Sequence, residues 1–404
     1  MNFLADFHVH SSHSRATSKN MTLESLYIAA QYKGISVVAT GDFTHPVWIE
    51  EIREKLISAE NGLYQLKPDI AGICDKEVPS VCRGTVQFML VTEISNIYKK
   101  NGRVRKIHNL IFIPEIEQAI KFNRKLEKIG NIGSDGRPIL GLDARNLLEL
   151  TLSADDQAFL VPAHIWTPWF SMLGSKSGFD SILECFDDLS SHIFAVETGL
   201  SSDPIMNWRV SSLDQAVLIS NSDAHSPSKL GREANQFNTE LSFSAIRQAL
   251  MNPYKNEFIG TIEFFPEEGK YHYDGHRKCQ ICLHPVETQH VNGICPVCGK
   301  PLTVGVLYRT HELADRNDGD TSPRHKPFFY SVPLTEVLSE ILNVGSSSKE
   351  VMKRYETALN RLGPELDIIV SMSLDKIRSA NIPLLAEAIQ KIRQNDIHIS
   401  PGYD

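Results

Sequence analysis

Five short apolar runs in this sequence each lead into a histidine or an acidic residue. "FLADFHV" (3–9) carries His8 and leads to His10. "ISVVAT" (35–40) leads to Asp42 and His45, "TVQFMLV" (85–91) to Glu93, "AFLVPA" (158–163) to His164, and "AVLIS" (216–220) to Asp223 and His225. Short apolar runs bounded by turn residues read as buried strands. "IHNLIFI" (107–113), "HIFAVE" (192–197) and "EFIGTIEF" (257–264) complete eight candidate strands. Helical patterns lie between several of them, at 22–34, 47–59, 115–130 and 143–150, with Thr22 as N-cap and Gly34 as stop of the first. Alternating strands and helices predict an α/β fold on a parallel sheet, open or closed into a barrel. In a barrel of parallel strands the C-terminal ends share one rim, where active sites form. Residues far apart in sequence then converge there, with His108 pointing inward from its own strand.

That mixture of side chains has a chemistry. Neutral imidazoles and carboxylates suit Zn²⁺, Mn²⁺ or Fe²⁺, and a carboxylate can bridge two ions. Metals held close together activate a water and stabilise both oxygens of a phosphoryl displacement. A lone His after a strand is usually a turn or cap residue. His13, His192, His272 and His398 are assigned to that class. The HxH pair, Glu93, His164 and "SDAH", taken together, predict a metal site. Asp223 is the ligand expected to matter most, because it also sits where it could orient the nucleophile.

Net charge is −8, which argues against a plain nucleic-acid binder. Metal-binding carboxylates inflate that count, and bound cations cancel it. "KKNGRVRK" (99–106) packs five cations into eight residues and reads as a hairpin tip or a local basic patch. No apolar run reaches membrane length, and the N-terminus has neither a basic segment nor a cleavage site. A cytoplasmic, nucleoid-associated protein is expected.

The chain has seven cysteines. "CQIC" (Cys279, Cys282) and "CPVC" (Cys295, Cys298) are twelve residues apart, a spacing that predicts a tetrahedral structural zinc. His276, His284 and His290 are spare ligands, and Cys74, Cys82 and Cys185 read as ordinary thiols. The composition shifts after residue 265 and becomes helical from Pro333. We therefore expect three regions: a catalytic domain over 1–265, a four-cysteine zinc module over 266–305, and a helical C-terminal region over 306–404 that contacts DNA. Beyond His164, "HIWTPWFS" offers Trp166, Trp169 and Phe170 as base contacts. "SRATSKN" offers Arg15, Thr17, Ser18 and Lys19 as phosphate or base contacts.

"DFHVHSSHS", "TGDFTH", "TEIS", "PAH" and "NSDAH" resemble the polymerase-and-histidinol-phosphatase (PHP) family. That resemblance implies a distorted (β/α)7 barrel, two or three divalent metals (Zn, Mn, Mg or Fe) and phosphoesterase activity. "HSSHSRATSKNM", "ATGDFTHP", "HIWTPWFSMLGSKSGFDS" and the paired CxxC motifs resemble the endonuclease Q branch over nearly the whole chain. The branch nicks DNA 5′ of uracil, hypoxanthine, xanthine or abasic sites and leaves a 3′-hydroxyl and a 5′-phosphate. By this resemblance His8, His10, Glu93 and Asp223 hold one metal and form the catalytic set. Glu93 bridges to a second metal held by His108 and His164, and His45 and His225 hold a third. Many members carry an Asp a few residues after HxH where this chain has Arg15, so Asp42 is the other candidate for the third metal. DNA with deaminated or abasic sites is the implied partner, with room for an unidentified replication or repair protein. The rival activity is a phosphatase acting on a small phosphate monoester, which needs neither zinc module nor helical tail. A non-catalytic DNA binder would not need so full a ligand set.

Overall fold

The first helix, Leu23–Lys33, forms where its flanking residues predict it. Thr22 accepts the Ser25 backbone N–H, Ser25 reciprocates, and Gly34 ends the helix in the left-handed region at φ 82°. The next strand, Ile35–Ala39, follows at once. This computed structural model describes residues 1–404.

Eight strands make the largest sheet. Across it run Phe328–Ser331, Phe258–Phe264, Ala234–Asn238, Asn2–Asp6, Ile35–Ala39, Gln87–Met89, Tyr64–Leu66 and Leu56–Ser58. Asn2–Asp6 pairs parallel with Ile35–Ala39 but antiparallel with Ala234–Asn238. A four-stranded sheet has the order Ile139–Leu140, Val91–Lys100, Arg103–Phe112 and Phe159–Pro162. Ala195–Glu197 and Val217–Ile219 form a separate parallel pair.

The α/β class is as expected. The parallel sheet is corrected to a mixed one, and no hydrogen-bonded ladder closes the strands into a single barrel. One cause is local. Asn101 and Gly102 both have positive φ, 52° and 73°, which suits a tight two-residue turn. Such a turn folds "KKNGRVRK" back on itself, and Val91–Lys100 pairs antiparallel with Arg103–Phe112 over ten rungs. The strands Val91–Lys100 and Ala234–Asn238 were not expected, since neither is an apolar run.

The main core has 76 buried residues and runs through both large sheets. A second core of 19 buried residues joins the helices Leu334–Leu342, Lys349–Leu362, Leu374–Ser379 and Leu385–Arg393 to Val78 and Cys82. The C-terminal helices thus carry their own apolar interior. The region after 305 is not wholly helical, because Phe328–Ser331 pairs parallel with Phe258–Phe264. No helix is long and apolar enough to cross a membrane.

Candidate metal centre

Sheet register brings the first two ligands together. In the hairpin, Glu93 lies opposite Leu110 and Ser95 opposite His108. Side chains alternate along a strand, so Glu93 and His108 share one face. Glu93 lies within its strand, not after it as the sequence suggested. His164 follows Phe159–Pro162, the strand hydrogen-bonded to the far side of Arg103–Phe112. The three meet: His108 Nδ1 is 2.6 Å and His164 Nε2 is 3.1 Å from Glu93 Oε1.

The other carboxylate oxygen faces a second group. Glu93 Oε2 lies 3.5 Å from His8 Nε2 and 3.4 Å from His10 Nε2. Asp223 Oδ1 closes that group at 3.1 Å from His10 Nε2 and 3.5 Å from His8 Nε2. A bridge between Val9 and Ala224 ties the two loops that carry these residues. His8, His10 and Asp223 form one ligand cluster, and Glu93, His108 and His164 form another. All six are among the residues expected from the sequence.

The donor set fits divalent cations. His8 Nε2 is buried without a hydrogen-bond partner and faces two carboxylates, as an atom awaiting a metal would. Its other ring nitrogen, Nδ1, donates to Glu197, 3.1 Å from both oxygens. His10 is held alike, with Nδ1 3.2 Å from Asp42 Oδ1. A carboxylate on Nδ1 fixes the tautomer and turns the Nε2 lone pair toward the gap. Asp42 accepts from the Ser11 backbone and hydroxyl and from Ser14, at 2.6, 2.7 and 2.9 Å. Asp42 is therefore not placed as a ligand; it holds His10 from behind.

Charge is dense here. Burial pushes the His8 imidazole down, but Glu197, Asp223 and Glu93 outweigh it and hold it well above its usual range. Burial likewise opposes the charged form of Glu93, yet His108, Arg137 and His8 keep it well below the usual carboxylate range. For His108 burial wins, and its pKa falls to about 4.

Backbone strain concentrates at the same place. Asp42, His164 and Asp223 have φ of 43°, 29° and 47°. Non-glycine residues in this region cost about 1–3 kcal/mol each and gather at functional sites. Gly199 permits the close approach, since a Cβ there would sit 2.5 Å from His164 Cβ. Trp48 braces the Asp42 loop by donating to the carbonyls of Thr40 and Gly41 at 3.1 and 2.9 Å.

The remaining expected ligands fall outside both clusters. His45 stacks on His13 with ring centroids 4.3 Å apart. His225 packs 4.4 Å from the His10 ring, its Nδ1 2.9 Å from the Asp223 carbonyl, at the rim of the first cluster. His45 and His225 thus form no third ligand cluster beside the two built on His8 and on Glu93.

Beside His164 opens a cavity of about 570 Å³, lined in part by Trp169, Phe170, Asn221, Lys270 and Tyr271. Trp169 and Phe170 are thus at hand for a ligand. Trp166 is not: it is fully buried and donates to Asn207 at 2.7 Å, so it belongs to the core. Arg15 and Lys19 are exposed and Thr17 and Ser18 half-buried; the Ser18 backbone N–H donates to the His225 carbonyl at 2.8 Å. That bond keeps the loop beside the first cluster.

Two residues at the centre were missed. Glu197 also accepts from the His164 backbone and from Asn221, at 2.7 and 2.8 Å. It ends an apolar run, the same signal that marked Glu93. Arg137 donates to Glu93 Oε2 at 3.0 Å, and nothing in its own stretch announces it.

Away from the rim, His276, Cys279, Cys295 and Cys298 form a third cluster. This cluster takes in three of the four expected cysteines and His276, one of the spare ligands; Cys282 lies outside it.

The family described as the MJ0043 C-terminal domain matches residues 333–396. Uncharacterized protein MJ0043 of Methanocaldococcus jannaschii is 31% identical over 261 residues, 61% of this chain and 32% of that protein. The chain thus spans about a third of that relative's length. Protein YqxK of Bacillus subtilis is 28% identical over 98% of this chain and 96% of its own. The crystal structure of the lesion-specific endonuclease Q from Pyrococcus furiosus superposes with a TM-score of 0.85 at 29% identity, covering 100% of this chain and 93% of that one. An endonuclease Q complex with a 27-mer duplex carrying an abasic lesion at the active site gives the same TM-score and identity, covering 100% and 94%. The likeness read from the sequence motifs is borne out: over its whole length this chain is a structural relative of endonuclease Q.

Proposed function

We propose that this chain is a metal-dependent DNA repair endonuclease. It cuts the phosphodiester 5′ of a deaminated base or abasic site and leaves a 3′-hydroxyl and a 5′-phosphate. The observation that carries the reading is the Glu93 carboxylate, with one oxygen toward His108 and His164 and the other toward His8 and His10. The likeness to endonuclease Q, including a complex with abasic DNA, supports DNA as the substrate.

His8, His10 and Asp223 would hold one divalent cation, His108 and His164 a second, with Glu93 between them. Such a pair supplies an activated water and offsets charge on the phosphoryl oxygens. The chain's own residues do the rest. Glu197 and Asp42 keep the Nε2 atoms of His8 and His10 aimed at the gap. Asp223, whose side chain is 29% exposed, reaches the surface of the cluster and orients the nucleophile.

The neighbouring cavity accepts the base. Judging a base requires turning it out of the duplex, at a few kcal/mol and less where pairing is weakened. Trp169, Phe170 and Tyr271 give stacking faces in that cavity, and the exposed Lys270 gives polar contact. Aromatic stacking contributes about 1–3 kcal/mol per base.

The test is an end-labelled nicking assay on duplexes with one defined lesion, with and without chelator. The expected result is a single cut 5′ of the lesion, abolished by chelator and by Asp223→Asn, with the fold intact by circular dichroism. Near-normal cutting by that variant would refute the assignment of Asp223. Cleavage of an aryl phosphate but of no lesion duplex would favour the phosphatase.

A further inference from the structure

We propose that Arg137 grips the scissile phosphate: its guanidinium binds a non-bridging phosphoryl oxygen beside Glu93 and offsets the charge that builds there. The inference rests on the nuclease reading above and adds a substrate-binding residue to it.

Arg137 is a permanent cation in a centre of imidazoles and acids. Its Nη1 donates to Glu93 Oε2 at 3.0 Å, and the Asp223 carboxylate lies close by. Exposure separates the roles. The Glu93 side chain is 1% exposed, whereas Arg137 is 28% and Asp223 29% exposed. A cation needed only to fix Glu93 would be enclosed with it. Arg137 instead opens toward the solvent from which a substrate arrives. A guanidinium is a fork of several N–H donors. One of them holds Glu93, and the side chain makes no other hydrogen bond to the protein. Asp223 lines the cavity assigned to the base, and Arg137 does not. Arg137 thus sits at the centre but outside that cavity, where the backbone of an extruded nucleotide would lie.

The loop that carries Arg137 is fixed on both sides. The Gly136 N–H donates to the His13 carbonyl at 3.0 Å. A Cβ on Gly136 would clash with Asp42 Oδ2 and meet Ser14 Oγ at 2.5 Å, so only glycine lets the loop close on the segment behind His10. On the other side the Ser95 N–H donates to the Pro138 carbonyl at 3.0 Å, and Ile139 pairs with Ser95 on the Glu93 strand. Asp135, itself buried, accepts the backbone N–H groups of Arg137 and Arg15, each at 3.2 Å. Arg15 Nε lies 3.3 Å from its other oxygen. One carboxylate thus holds two arginines at one edge of the centre. Paired cations suit the successive phosphates of a strand better than a lone phosphate monoester.

The charge balance points the same way. A guanidinium beside bound divalent cations is repelled until an anion arrives between them. As the attacking oxygen adds to phosphorus and the 3′-oxygen leaves, negative charge grows on the non-bridging oxygens. A cation already in place there stabilises the transition state more than the ground state. Glu93 can serve both neighbours, because each carboxylate oxygen has more than one lone pair. Oε2 faces His8 and His10 with one and Arg137 with the other.

The test compares the full-length wild type with Arg137→Met and Arg137→Lys in three measurements. The first is Mn²⁺ affinity by competition against a calibrated chelator, since thiolates bind this ion poorly. The second is calorimetric binding of inorganic phosphate to the Mn²⁺-loaded protein. The third is single-turnover cutting of an abasic duplex at saturation. Arg137→Met is expected to bind Mn²⁺ as tightly as the wild type or tighter. It should bind phosphate at least about tenfold more weakly and cut about 10²–10³-fold more slowly. Arg137→Lys keeps the charge without the planar fork and should recover part of both losses. Weaker Mn²⁺ binding by Arg137→Met would show that the residue serves to hold Glu93. Unchanged phosphate affinity would show that it does not touch the phosphate, and either result overturns the proposal. A wild type that cuts no lesion duplex would sink the nuclease reading, and the phosphate comparison would still decide the role of Arg137.

Discussion

Glu197 and Asp42 do not face the gap between the two clusters, yet they decide how its imidazoles point. Each accepts the Nδ1 proton of a clustered histidine. Loss of such a partner typically costs 10–100-fold in metal affinity. Glu197→Gln and Asp42→Asn are each expected to weaken metal binding within about that range, read by competition against a calibrated chelator, while circular dichroism is unchanged. Unaltered affinity in both would show that the imidazoles are held by other means. Gly199 sets a second condition. Its missing side chain leaves room for His164, so Gly199→Ala should displace that ring and lower the affinity of the Glu93 cluster. At this scale the sequence was informative about type and poor about partnership. His8, His10, Glu93, His164 and Asp223 stood out because imidazoles and acids rarely end so many apolar runs, and His108 because it interrupts one. Arg137 was silent because its partner lies 44 residues away and depends on the turn of the chain between them. Trp166 and Trp169 carry the same local signal, and only their neighbours send one into the core and leave the other at the cavity.

Register does at the level of strands what residue type cannot do alone. It puts Glu93 and His108 on one face, and it separates His276 from Cys282. Neither result follows from spacing, because a shift by one residue would reverse each. The parallel neighbours Asn2–Asp6, Ile35–Ala39 and Gln87–Met89 were readable from apolar runs, whereas Val91–Lys100 and Ala234–Asn238 mix in polar residues and gained their pairing only from neighbours. The second of these adjoins a buried acid pair. Glu233 precedes Ala234–Asn238, and Glu263 lies on the antiparallel partner Phe258–Phe264. Both are fully buried, and Glu233 Oε2 has no partner. Burial, reinforced by Glu263, raises Glu233 well above the carboxylate range, and burial lifts Glu263 from 4.5 to about 7. The folded state thus holds protons that the unfolded chain has released. This contribution to stability is fully present below about pH 4.5 and is lost as the pH rises through about 7. Glu233→Gln removes one acid while keeping its shape. At pH 8 the variant should be more stable than the wild type, with the gap closing near pH 5. Thermal melts at the two pH values check this, and an equal gap at both would contradict it.

Across the whole molecule, one buried ion pair fastens the helical C-terminal region to the sheet domain. Lys33, in the first helix, lies 2.7 Å from Glu365 Oε2, with both side chains buried. Glu365 also accepts from the Leu334 backbone at 2.9 Å and the Tyr355 hydroxyl at 2.7 Å. Removing one partner of a buried pair leaves an uncompensated charge and typically costs about 3–5 kcal/mol. Glu365→Ala should destabilise by about that much in urea denaturation, and Lys33→Met with Glu365→Leu should recover most of the loss. Three of these helices were legible in the sequence, and the short Leu374–Ser379 was not. Their fastening was not, since Lys33 and Glu365 are each unremarkable in sequence and meet only through the fold. The account of function rests on a narrower point, that the two rim clusters share Glu93 and hold metals together. The direct measurement is the metal content of the full chain by inductively coupled plasma mass spectrometry after gel filtration, for the wild type and for Glu93→Gln. The account predicts at least two divalent ions per chain beyond the cysteine-bound zinc, with the rim ions lost or sharply reduced in the variant. One zinc per chain in both proteins, with lesion cutting intact, would contradict it.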